Sequence, residues 1–175
     1  MVGRVLVISI KNSFLCDKSA EEVFGLFSRI DKLAWAFPTV NRVNVIDEDN
    51  VNIGVLLKLG LLPLDNNLTL EVTERTAPAR LVAEGIATPG AGLASAAKLL
   101  DEKGATRIVM ILELDDLGPQ KSRVRYEITC EATGNLKRIY DAIIKGQRKK
   151  LESEFINNVA GILEAPVVEE QPIGG

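Results

Sequence analysis

The sequence has no histidine at all. Without imidazole there is no His-dependent triad, no His-ligated zinc and no ordinary neutral-pH acid or base. Aromatic residues make up only 5% of the chain, with a single tryptophan, Trp35. Cysteine is confined to Cys16 and Cys130, far apart in sequence, and Cys130 falls within a strand pattern. Two such thiols define no disulfide framework, so buried free thiols are the expectation. The formal net charge is −3 and no basic tract is interleaved with aromatics, so nucleic acid is not expected as a partner. Long apolar runs are missing too. Val5-Leu6-Val7-Ile8 is too short to span a bilayer and no cleavage site follows it, so the protein is expected to be cytoplasmic.

What is present is patterning. A length of 175 residues, 46% of them hydrophobic and 26% charged, suits one soluble domain with a sizeable core. From Asn135 to Glu164 the chain runs without proline, and Leu136, Tyr140, Ile143, Leu151, Phe155, Val159 and Ile162 recur at helical spacing. That stripe predicts one long amphipathic helix, stopped before Pro166. The domain is expected to span residues 1–164, and residues 165–175 read as a disordered tail.

Upstream, strands dominate. Leu6, Ile8 and Ile10 share one face of an opening strand. Ser19-Ala20-Glu21-Glu22 has the form of a capping box, with Val23, Phe24, Phe27 and Ile30 as the apolar stripe behind it. A second short helix over Asp31–Phe37 is stopped by Pro38. The period then changes to two. Ile53, Val55 and Leu57 share a face, as do Leu68 and Leu70; Met110 and Leu112; and Tyr126, Ile128 and Cys130. With the strands at 43–46 and 80–87, this makes seven strands joined by short turns, an antiparallel meander packed on the terminal helix. Leu93 to Glu102, rich in Ala, Leu and Lys, reads as a short inserted helix, either a lid or surface decoration.

The order of strand, two short helices, meander and long helix is the helix-grip arrangement of the START-like (SRPBCC) α+β superfamily. Within it the chain resembles the CoxG family, named for a component of carbon monoxide dehydrogenase. The resemblance is carried by Ser19 to Phe24, Trp35-Ala36-Phe37-Pro38, Leu57 to Leu64, and Ala105-Thr106-Arg107-Ile108. It implies a hydrophobic cavity between sheet and helix that holds an apolar small molecule such as a lipid, isoprenoid or quinone-like compound. It also implies, as an alternative, recruitment or maturation of a molybdenum hydroxylase such as carbon monoxide dehydrogenase. Cyclase or hydrolase chemistry inside the cavity is a second alternative.

The residues frame the candidate sites. Branched aliphatics on the inward faces cannot easily fill a curved sheet around one helix. The expected ligand-binding set is Ile53, Val55, Leu57, Leu68, Leu70, Met110, Leu112, Tyr126 and Ile128, closed by Ile143, Gln147 and Leu151. Gln147 falls where the helical period wants a hydrophobe, so it either meets a ligand or marks a bend with partners inside the protein. The turn Leu61-Leu62-Pro63-Leu64 is unusually apolar, and either tucks over the barrel end or forms a contact surface. Lys145, Lys149 and Lys150, with Arg148, are either a solvated helix face or an attraction for anionic headgroups at the inner face of the membrane. No spacing suits a metal: Asp47-Glu48-Asp49 lacks the central glycine and terminal glutamate of a calcium loop. No two acids fall together on an inward strand face, so no catalytic residue and no cofactor is expected.

Overall fold

The computed structural model describes residues 6–59, 62–89, 106–132 and 135–170. Within these it describes all side chains except those of 6–8, 57–59, 62–64, 89, 132, 135–141, 143 and 144. The segment 93–102, expected as an inserted helix, lies outside the described residues.

The chain opens with β1 (Leu6–Cys16), followed by α1 (Ala20–Phe27) and α2 (Ile30–Ala34). Ser19 caps α1 as its spacing predicts: its Oγ accepts from the Glu22 backbone N–H at 3.2 Å and donates to Glu22 Oε1 at 3.4 Å. The meander follows as β2 (Val40–Val45), β3 (Asn50–Leu59), β4 (Leu62–Thr76), β5 (Arg80–Pro89), β6 (Thr106–Gly118) and β7 (Lys121–Ala132). The long helix α3 (Asn135–Leu163) ends where Glu164 takes a left-handed φ of 53°, a conformation that terminates helices.

All strands among the described residues, with β8 at Val167–Glu170, belong to one antiparallel sheet in the order β2-β3-β4-β5-β6-β7-β1-β8. The eighth strand corrects the sequence reading. Val167–Glu170, expected as part of a disordered tail, form β8 and pair with β1 from Ser13 to Cys16. Two acids of this segment find donors on the neighbouring strands. Glu169 accepts from Asn12 Nδ2 at 2.7 Å, while Glu170 accepts from Ser13 Oγ at 3.1 Å and from Arg123 Nε at 2.8 Å. The Arg123 contact is also the main cause that holds the Glu170 carboxyl below its ordinary range.

The alternation of the sequence becomes the two faces of this sheet. Val51, Ile53, Leu68, Leu70, Leu81, Ala83, Met110, Leu112 and Val124 are buried on the inner face with Phe14. The outer face carries cross-strand ion pairs, including Arg107 with Glu84 at 3.1 Å and Arg125 with Asp115 at 2.9 Å. Glu84 therefore belongs to the outer side. Register shifts at Val40/Arg42, Val72/Glu74 and Asp116/Gly118 add the bends that a sheet needs to wrap a helix.

At Gly85 the sheet leaves no room for a side chain. An added Cβ would meet the Thr69 carbonyl oxygen at 2.4 Å and Leu70 Cδ2 at 2.8 Å. Gly85→Ala is therefore expected to cost about 2 kcal/mol, in the range for overpacking a tight site. Gly25→Ala, where nothing lies within 4 Å, serves as the control and is expected to be neutral or stabilising in the same urea titration.

Candidate functional site

Between the concave face of the sheet and α3 lies a cavity of about 250 Å³. Its sheet side is formed by Ile53, Val55, Leu68, Leu70, Met110 and Ile128. Leu151 and Phe155 of α3 cover it, and Phe37, Pro38, Thr39 and Val40 close one side from the α2–β2 connection.

Three of the eight aromatic residues stand at this wall. Phe37 stacks on Phe155 with ring centroids 4.9 Å apart, and Phe155 meets Tyr126 edge-on at 5.1 Å. The helix is pinned to the connection by Asn158, whose Nδ2 donates to the Ala36 carbonyl at 3.0 Å. Position, burial and that hydrogen bond together fix the Phe37 side of the cavity relative to α3.

The structure brings together most of the residues expected to bind a ligand. Ile53, Val55, Leu68, Leu70, Met110, Tyr126, Ile128 and Leu151 all line the cavity. Leu112 does not: it is 2% exposed and packs in the core beyond the cavity wall. Gln147 is half-buried on α3, engaged in contacts within the protein, and lies outside the lining. The side chains of Leu57 and Ile143 lie outside the described residues.

Of the expected contact surface, Leu61 lies outside the described residues, and Leu62 and Leu64 enter β4 with side chains not described. Lys145, Lys149 and Lys150 are exposed on α3. The basic stretch is partly neutralised along its own helix, because Arg148 pairs with Glu152 at 3.1 Å and Lys150 with Glu154 at 4.0 Å.

Several lining residues escaped the sequence reading. Asn66 and Thr106 occupy inward positions because β4 and β6 begin earlier than their apolar runs, so alternation extended toward the chain start would have found them. Ile10, Ala87, Ile108 and Cys130 were on recognised faces without being assigned to the site. Phe37 to Val40 gave no periodic signal.

Two ionisable groups in the wall are held protonated. Burial pushes the Cys130 thiol up to about 11. Burial also raises the Tyr126 hydroxyl, reinforced by the negative charges of Glu152 and Glu169 and opposed slightly by Asn12. Asn12 stands opposite Tyr126 in register, but its amide nitrogen donates to Glu169 and its oxygen accepts from the Ser13 N–H. The buried Tyr126 hydroxyl has no hydrogen bond of acceptable geometry. Among the described residues no group of acids and thiols is arranged to hold a metal, and no helix is long and apolar enough to cross a membrane.

One antiparallel sheet wrapped on a terminal helix over an apolar cavity defines a START-like helix-grip protein, and comparison with solved structures agrees. A conserved protein from Geobacillus kaustophilus superposes with a TM-score of 0.68 at 15% identity, covering 92% of this chain and 99% of that one. The ZhuI aromatase/cyclase from a Streptomyces species gives 0.60 at 7% identity, covering 91% and 94%. A norcoclaurine synthase point mutant from Thalictrum flavum, in complex with a transition-state analogue, gives 0.59 at 9% identity, covering 92% and 96%. At these identities the likeness is one of fold. No curated protein matches the sequence. Residues 13–163 match the CoxG family of carbon monoxide dehydrogenase components, and the chain belongs to that family.

Proposed function

We propose that this protein binds a hydrophobic small molecule between its sheet and α3, as a non-catalytic carrier or sensor. The observation that carries this reading is the cavity itself, about 250 Å³ walled by aliphatic and aromatic side chains. Well-packed cores leave few voids larger than a water molecule, so a space of this size argues for an occupant.

The test is a titration of a hydrophobic fluorescent probe against the full-length protein. Saturable probe binding is the expected result. Ala87→Leu adds carbon into the cavity wall and is expected to displace the probe about tenfold while costing under ~1.5 kcal/mol, because it fills space instead of overpacking a core. No saturable binding, or binding indifferent to Ala87→Leu, rejects the reading.

Cyclase chemistry, named for one of the neighbours, is the weaker alternative. Burial keeps Cys130 and Tyr126 protonated, so neither supplies a nucleophile or base at neutral pH, and Glu152 is committed to Arg148. Family membership supports a further role beside the binding function. Carbon monoxide dehydrogenase, a molybdenum hydroxylase, is the candidate protein partner, and Lys145, Lys149 and Lys150 are the exposed cations that would meet it or an anionic membrane surface. Co-sedimentation with anionic vesicles at low salt separates the membrane from the protein reading.

A further inference from the structure

We infer that the part of the ligand held inside the cavity is a compact hydrocarbon group with no polar atom. This rests on the ligand-binding reading above and goes further by stating what the site accepts and what it rejects.

Polarity comes first. The lining includes Thr39, Asn66, Thr106, Tyr126, Cys130 and Glu152, yet almost no polar surface reaches the cavity. The individual groups explain this. Glu152 is turned to Arg148, and Asn66 is engaged within the protein. Thr106 is 3% exposed, and the Tyr126 hydroxyl is closed off from any accessible space. A ligand carbonyl, hydroxyl or ring nitrogen placed inside would lose its water and gain nothing in return. A polar group on the ligand therefore has to remain at the mouth or beyond it.

Size comes second. A protein cavity of about 150 Å³ lined by similar side chains holds one benzene ring. At about 250 Å³, the same packing gives room for roughly ten carbon atoms, the size of naphthalene. A lipid tail of about sixteen carbons exceeds this volume by more than half at the same packing. Such a molecule would be held by one end only.

Three flat probes test both claims on the full-length protein by equilibrium dialysis: naphthalene, quinoline and anthracene. Quinoline replaces one ring carbon of naphthalene by an acceptor nitrogen at nearly constant shape. The expected result is naphthalene binding at least about tenfold tighter than quinoline, with anthracene weaker than naphthalene.

Quinoline binding as tightly as naphthalene overturns the inference while leaving the pocket in place. Anthracene binding as well as naphthalene overturns the size limit. Failure of all three probes removes the ligand-binding reading and this inference with it.

Discussion

Phe155→Ala is expected to lower the stability of the protein by about 3–5 kcal/mol, the range for removing a buried phenylalanine. Phe155 is 6% exposed and sits at the junction of three elements: it stacks on Phe37 from the α2–β2 connection and meets Tyr126 of β7 edge-on. Truncation removes both ring contacts together with the transfer free energy of the ring. One flank of the ring already faces the cavity, where it has no packing partners to lose, so the lower end of the range is expected. Phe155→Leu keeps most of the volume and is expected to cost about 1.5 kcal/mol or less. Urea unfolding at neutral pH checks both. Equal losses for Ala and Leu would show that ring geometry, not volume, holds α3 to the sheet.

The same residue shows how far the sequence could be read. Phe155 fell on the helical stripe with Leu151, Val159 and Ile162; Phe155 and Val159 are buried, while at the end of α3 the buried position is Leu163 at 1% and Ile162 is half-buried. Period-2 alternation likewise assigned the inner faces of β3, β4, β6 and β7. These signals were strong because a residue's face follows directly from its position along a strand or helix.

What periodicity cannot encode is where a wall has room behind it. Leu112 and Met110 share one face of β6, two residues apart, yet Met110 lines the cavity and Leu112 packs in the core beyond it. The difference arises from what lies across from each residue, a tertiary property. Irregular segments were illegible for a related reason. Phe37, Pro38 and Thr39 close the cavity through a connection without a repeat, held by tertiary contacts: the Asn158 hydrogen bond to Ala36, the Phe37–Phe155 stack and the Leu56 N–H donating to the Thr39 carbonyl at 2.8 Å. The tail misled because Glu169 and Glu170 look solvated in isolation, whereas Asn12, Ser13 and Arg123 wait on the neighbouring strands.

Alkaline pH is expected to weaken the fold in a defined window. The Cys130 thiol is raised from an ordinary 9.0 to about 11, with burial as its cause. A group whose folded pKa lies above its unfolded value holds its extra proton only in the folded state. Its contribution is complete below about pH 9 and is lost as pH rises through about 11. At 1.36 kcal/mol per unit, the two-unit shift corresponds to at most about 3 kcal/mol. The Tyr126 hydroxyl, also raised by burial, acts in the same direction at higher pH, and so does the raised Cys16 thiol. The stability of the wild type, measured by urea midpoints at pH 8, 9, 10 and 11, is therefore expected to be flat to pH 9 and to fall beyond it. Cys130→Val removes the thiol while keeping an apolar side chain of similar size, so its curve is expected to fall less steeply between pH 9 and 11. A bound hydrocarbon excludes water from the same wall and should shift the wild-type fall to still higher pH. Parallel curves for wild type and Cys130→Val would show that the thiol ionises without reference to the fold, and the apolar wall around it would then have to be wetter than its lining residues imply.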